Sequence, residues 1–67
     1  MIIGIENLTE EQKKLMHRVN KKHTDCVGSE YKAGMKITKV WLDENNTVCV
    51  KLRNGEWFHY YENGTWA

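Results

Sequence analysis

Proline is absent from the 67-residue chain, and cysteine occurs only at Cys26 and Cys49. Two cysteines are too few for a disulfide framework, and they fit a reducing compartment as free thiols. No apolar run approaches the ~20 residues of a membrane span, and Met1-Ile2-Ile3-Gly4-Ile5 has neither the basic start nor the length of a secretory signal. These absences lead us to expect a soluble, cytoplasmic protein. On that expectation the Asn-x-Thr triplets at Asn7, Asn45 and Asn63 are turn and cap chemistry rather than glycan acceptors. A surplus of charge is missing too. Ten Lys and Arg stand against nine Asp and Glu, a formal net charge of +1, so no global field draws the chain to nucleic acid or membrane. Repeats, low-complexity tracts and linkers are also lacking, and the length allows a single small domain whose core is marginal enough to make self-association a live option.

What is present reads as a folded α+β domain: 40% hydrophobic and 28% charged residues, with aromatics concentrated in the second half. Thr9-Glu10-Glu11-Gln12 matches the capping box, in which a hydroxyl and the third side chain satisfy reciprocal backbone N–H groups. Beyond it, Leu8, Gln12, Leu15, Met16, Val19, His23 and Cys26 fall on one helical arc, with Lys13, Lys14, Arg18, Lys21 and Lys22 on the rest. The helix is expected over about 9–24. Residues 27–35, with Gly28, Ala33 and Gly34, read as a connecting loop.

The period then changes from helical to two, which predicts a three-stranded antiparallel meander with strands at about 36–43, 47–53 and 56–62. Asp43-Glu44-Asn45-Asn46-Thr47 suits a three-residue loop with Asn46 in the left-handed region, pairing Asp43 with Thr47, Leu42 with Val48 and Val40 with Val50. Asn54-Gly55 reads as a two-residue hairpin pairing Arg53 with Glu56, Lys51 with Phe58 and Cys49 with Tyr60. One face then carries Thr38, Val40, Leu42, Val48, Val50, Leu52, Trp57, His59 and Tyr61 and accepts the helix. Asn63-Gly64 is expected to fold Thr65-Trp66 back over either face, and Ile2 to Ile5 is expected to add an edge strand.

On the opposite face Trp41, Phe58 and Tyr60 are interleaved with Lys39, Lys51 and Arg53. Trp, Tyr and Arg are the residues that anchor protein interfaces. Rings beside cations also suit single-stranded nucleic acid, where bases stack and cations meet phosphate. Packing within the sheet itself accounts for the same pattern. Near-neutral charge favours a protein partner or a second copy over nucleic acid. The five cations from Lys13 to Lys22 are explained by a solvated helix face.

His23-x-x-Cys26 has metal-ligand spacing, and Cys49 with His59 would complete a zinc set. In the proposed register, however, Cys49 and His59 point to opposite faces, which argues against a shared metal and against a Cys–His nucleophile and base pair. No Ser-His-Asp order and no glycine-rich phosphate loop occurs. The expectation is a non-enzymatic binding or regulatory protein without a cofactor. In style, a short proline-free helix followed by a meander with an exposed aromatic face, the chain resembles small regulators and inhibitors of bacteriophage and prophage.

Overall fold

A computed structural model describes residues 2–67, leaving Met1 outside the described residues. The fold is α+β, with one helix preceding a three-stranded antiparallel sheet: α1 (Glu10–Asp25), β1 (Ile37–Leu42), β2 (Val48–Leu52) and β3 (Trp57–Tyr60), in the spatial order β1-β2-β3. Helix α1 starts where the sequence dictates. The Thr9 hydroxyl accepts from the Gln12 N–H at 3.1 Å, while the Thr9 N–H donates to Gln12 Oε1 at 2.8 Å. Leu15, Met16, Val19 and His23 are buried against the sheet, and Leu8 joins them from the turn before the helix. Cys26 does not follow. It lies past the last helical turn and is exposed, so it leaves the apolar arc.

The connection read as a loop holds a 3-10 helix, Ser29–Met35, opened by the Tyr31 N–H donating to the Gly28 carbonyl and anchored by buried Met35. Alternation in β1 is interrupted by a bulge between Ile37 and Lys39, which lets Ile37 share the core face with Val40.

The meander exists, but its second register differs from the expected one. Strands β1 and β2 pair as foreseen, Val40 with Val50 and Leu42 with Val48. Strands β2 and β3 pair Lys51 with Trp57, Val50 with Phe58, Cys49 with His59 and Val48 with Tyr60, one residue away from the reading of Asn54-Gly55 as a two-residue turn. The observed turn has three residues: Leu52 N–H donates to the Glu56 carbonyl, Gly55 N–H to the Leu52 carbonyl, and Gly55 takes φ 92°. Asn54 then sits one place later in the turn, second of three rather than first of two, where its Oδ1 accepts from the Glu56 N–H at 2.9 Å. The same bond pattern closes the Asp43–Thr47 turn, with Asn46 at φ 60°, and the Tyr61–Thr65 turn, with Gly64 at φ 87°. All are type I turns ending in a left-handed residue.

The longer turn wins because of what it buries. It turns Phe58 and Tyr60 onto the helix side and sends Trp57 and His59 outward, since a one-residue slip exchanges every side chain between faces. Tyr60 is 0% exposed. Its hydroxyl accepts from Asn20 Nδ2 at 3.1 Å and hydrogen-bonds with His23 Nδ1 at 3.2 Å. Asn20 Nδ2 also donates to the Met35 carbonyl at 3.0 Å, so one network ties helix, connection and sheet. Around it, the His23 ring meets the Phe58 ring edge-on at 4.6 Å and stacks on Trp66 at 4.6 Å.

Trp66 reaches this position because the third turn folds the chain back along β3. His59 and Ala67 exchange backbone hydrogen bonds, and Tyr60 bridges to Trp66. On the other side a single parallel bridge, Ile3 to Lys39, stands where an edge strand was expected. Gly4 then turns the chain away at φ 89°, so close to β1 that an added Cβ would lie 2.3 Å from the Val40 carbonyl oxygen.

Gly4→Ala must therefore accept both a strained φ and a backbone collision. Gly55→Ala meets no atom within 4 Å and accepts only the former. Thermal unfolding should show Gly55→Ala costing about 1 kcal/mol and Gly4→Ala clearly more, about 3 kcal/mol. Burial holds the His23 pKa below its ordinary 6.5, against a weaker upward pull from Glu56. The unfolded chain then binds the proton more readily than the folded one. Stability should be full above pH 6.5 and fall as the pH drops below it, and in His23→Gln a series of melting curves should lose that slope.

Candidate functional site

The register that buries Phe58 and Tyr60 redraws the face opposite the helix. Of the residues expected there, Trp41, Lys39 and Lys51 remain together, joined by Lys39 pairing with Lys51 across the strands. Arg53 lies in the second turn and is exposed, its N–H donating to the Lys36 carbonyl. Phe58 and Tyr60 belong to the core side, so they are corrected out of this face. Their places are taken by Trp57 and His59, which the sequence reading had assigned to the helix side.

The result is a continuous row of rings. Trp41 and Trp57 have centroids 5.9 Å apart, Trp57 and His59 5.1 Å, and His59 stacks on Tyr61 at 5.9 Å with planes inclined by 11°. The Lys39 ammonium lies 5.9 Å from the Trp41 ring centroid. Trp57 is 54% exposed, a large apolar surface left in water by a chain that has few aromatics to spare.

Lys39 and Lys51 form one end of this face, and Asp43, just beyond β1, forms the other. Like charges directly opposite one another oppose pairing, and among the described residues neither lysine has an ion-pair partner. The basic helix surface behaves as expected of a solvated face. Lys13 pairs with Glu10 one turn earlier at 3.3 Å, an exposed contact of small energetic value.

Between the two ends lies a cluster that the expected register had excluded. Pairing of Cys49 with His59 puts both on the outer face, and Asp43 at the end of β1 completes a set whose donor atoms all lie within 4.8 Å of one another. His59 Nε2 is 3.8 Å from Asp43 Oδ2, and His59 Nδ1 is 3.4 Å from the Ala67 carbonyl. Asp43 Oδ1 accepts from the N–H groups of Asn45 at 2.8 Å and Thr47 at 2.9 Å. The Thr47 N–H is the main reason that the Asp43 carboxyl is held below the usual range. The Cys49 thiol donates to the Thr47 carbonyl at 3.7 Å. It is 1% exposed, and burial, with the Asp43 charge beside it, pushes its pKa up.

His23 and Cys26, the other spacing that suggested a metal, are not brought together. The His23 Nδ1 is committed to Tyr60 while Cys26 is exposed beyond the helix. Comparison with protein-family models, curated proteins and solved structures finds no match. The reading of the site therefore rests on its geometry. Among the described residues, no helix is long and apolar enough to cross a membrane.

The third turn, of the same kind, places Tyr61 opposite Thr65 and Trp66 beside Tyr60, so Trp66 follows Tyr60 onto the helix side. A pair of substitutions checks the register. Phe58→Ala should lower unfolding free energy by about 2 kcal/mol or more in denaturant titration, whereas Trp57→Ala should cost less than about 1 kcal/mol.

Proposed function

We propose that the chain is a small binding protein that docks a protein partner on its outer sheet face, with Trp41 and Trp57 as the apolar anchors and Lys39 and Lys51 selecting an acidic surface. The observation that carries this reading is the uncompensated Lys39–Lys51 cross-strand pair lying beside a tryptophan 54% exposed. An interface of this composition gains affinity from desolvating the rings and orientation from the charges. A reaction is a poorer fit. The thiol within the cluster is buried and resists ionisation, the opposite of what an attacking cysteine needs.

A second copy is the partner favoured by a specific feature. The face is basic at the Lys39–Lys51 end and acidic at the Asp43 end, with rings between them. A twofold axis parallel to the sheet, just outside its outer face, running across the strands over the Trp41–Cys49–His59 row, would set Lys39 of one copy over Asp43 of the next, and Trp57 over Tyr61. An isologous contact requires self-complementarity of this kind. Single-stranded nucleic acid would find rings and two lysines here as well, but the acidic end opposes phosphate.

Selection of displayed peptides on the purified protein should enrich acidic residues next to apolar ones. Trp57→Ala should weaken the selected binding by tenfold or more, about 1.4 kcal/mol or greater, while the melting temperature stays nearly unchanged. Sedimentation equilibrium should give a dimer that Lys39→Glu dissociates if the second copy is the occupant. Failure to select any peptide or form a dimer, together with oligonucleotide binding that falls steeply with salt, would assign the face to nucleic acid instead.

A further inference from the structure

The Asp43, Cys49 and His59 donor set lies on the outer face, and its chemistry is distinct from ring-and-cation docking. Carboxylate, thiolate and imidazole together are a borderline-soft set that suits zinc and excludes calcium or magnesium, which prefer oxygen alone. Donor atoms at the corners of a tetrahedral zinc site lie roughly 3.3–3.8 Å apart, given bonds of about 2.0–2.3 Å. Asp43 Oδ2 and His59 Nε2 already stand at 3.8 Å, and all donors of the set lie within 4.8 Å of one another, so a small side-chain contraction closes the site.

The surroundings prepare it further. The Ala67 carbonyl at 3.4 Å receives the His59 Nδ1 proton, which leaves the Nε2 lone pair pointing at a carboxylate oxygen. Two acceptors facing one another need a cation between them, either a proton or a metal. The other Asp43 oxygen is fixed by the Asn45 and Thr47 N–H groups, so the turn holds the carboxylate in place before any ligand arrives. Cys49 lies beside both on the outer face, buried, with its thiol within 4.8 Å of their donor atoms.

We propose that Asp43, Cys49 and His59 form a zinc site, with Cys49 binding as thiolate and a water molecule or an incoming donor taking the fourth position. Binding replaces the Cys49 S–H bond with a metal–sulfur bond and releases that proton to solvent. The metal's oxidation state does not change. The site is built by one chain and is independent of any partner.

The protein stripped with chelator should take up one zinc per chain and retain it through dialysis. Co²⁺ in its place should give a thiolate-to-metal charge-transfer band in the near ultraviolet. Cys49→Ala should abolish that band. Asp43→Asn, which keeps the turn's acceptor oxygen, should weaken zinc binding about tenfold or more with an unchanged far-ultraviolet circular dichroism spectrum. Cys26→Ser should change nothing. A band that survives Cys49→Ala but vanishes in Cys26→Ser would overturn the assignment, as would failure of the native protein to saturate at one equivalent of metal. If Cys49→Ala does not fold, Asp43→Asn and Cys26→Ser decide the matter: equal affinity in the former, or loss of the band in the latter, refutes the site.

Discussion

The Tyr60 hydroxyl holds this small fold to one arrangement. It is buried on the sheet's inner face at the end of β3, and it can stay there only because Asn20 donates to it and His23 hydrogen-bonds with it. Those partners come from adjacent turns of α1, so satisfying one hydroxyl fixes the rotation of the helix about its axis and the register of β3 at once. A buried polar group costs about 1–3 kcal/mol when unmatched, which penalises every neighbouring register. Apolar packing alone would discriminate less, because either face of β3 offers large side chains.

The outer face is the counterpart of that constraint. Once Phe58 and Tyr60 are drawn inward, Trp57 and His59 have nowhere to go but out, next to Trp41 and over Cys49. The exposed rings and the donor cluster thus arise from the same slip. Both proposed uses of this surface, partner docking and zinc binding, share His59. A metal there would fix the imidazole that stacks on Tyr61, stiffening part of the docking surface without touching the lysines at its other end.

Much of this was legible in the residues. The capping box at Thr9–Gln12, the arc of Leu15, Met16, Val19 and His23, the position of Asn46 and the first hairpin register follow from local rules, because each involves residues only a few places apart. The second register did not. Asn54-Gly55 satisfies two turn types equally well at the level of φ, and the choice between them is made by Asn20 and His23, some forty residues from Tyr60. Expecting Phe58 and Tyr60 outside was the direct result. So was the inference that Cys49 and His59 could not meet.

Both flanks of the sheet are occupied by the chain's own backbone, Ile3 beside β1 and Thr65 to Ala67 beside β3. The Ile3 segment turns away at Gly4, so it offers no long row of unpaired peptide groups to a neighbour. A protein with a sticky aromatic surface and open flanks could grow without limit, strand upon strand. Here the partly covered flanks disfavour growth along the sheet, and the proposed contact through the flat of the sheet would consume the surface it uses. Association on these terms ends at a finite complex, and a concentrated solution should favour pairs over filaments.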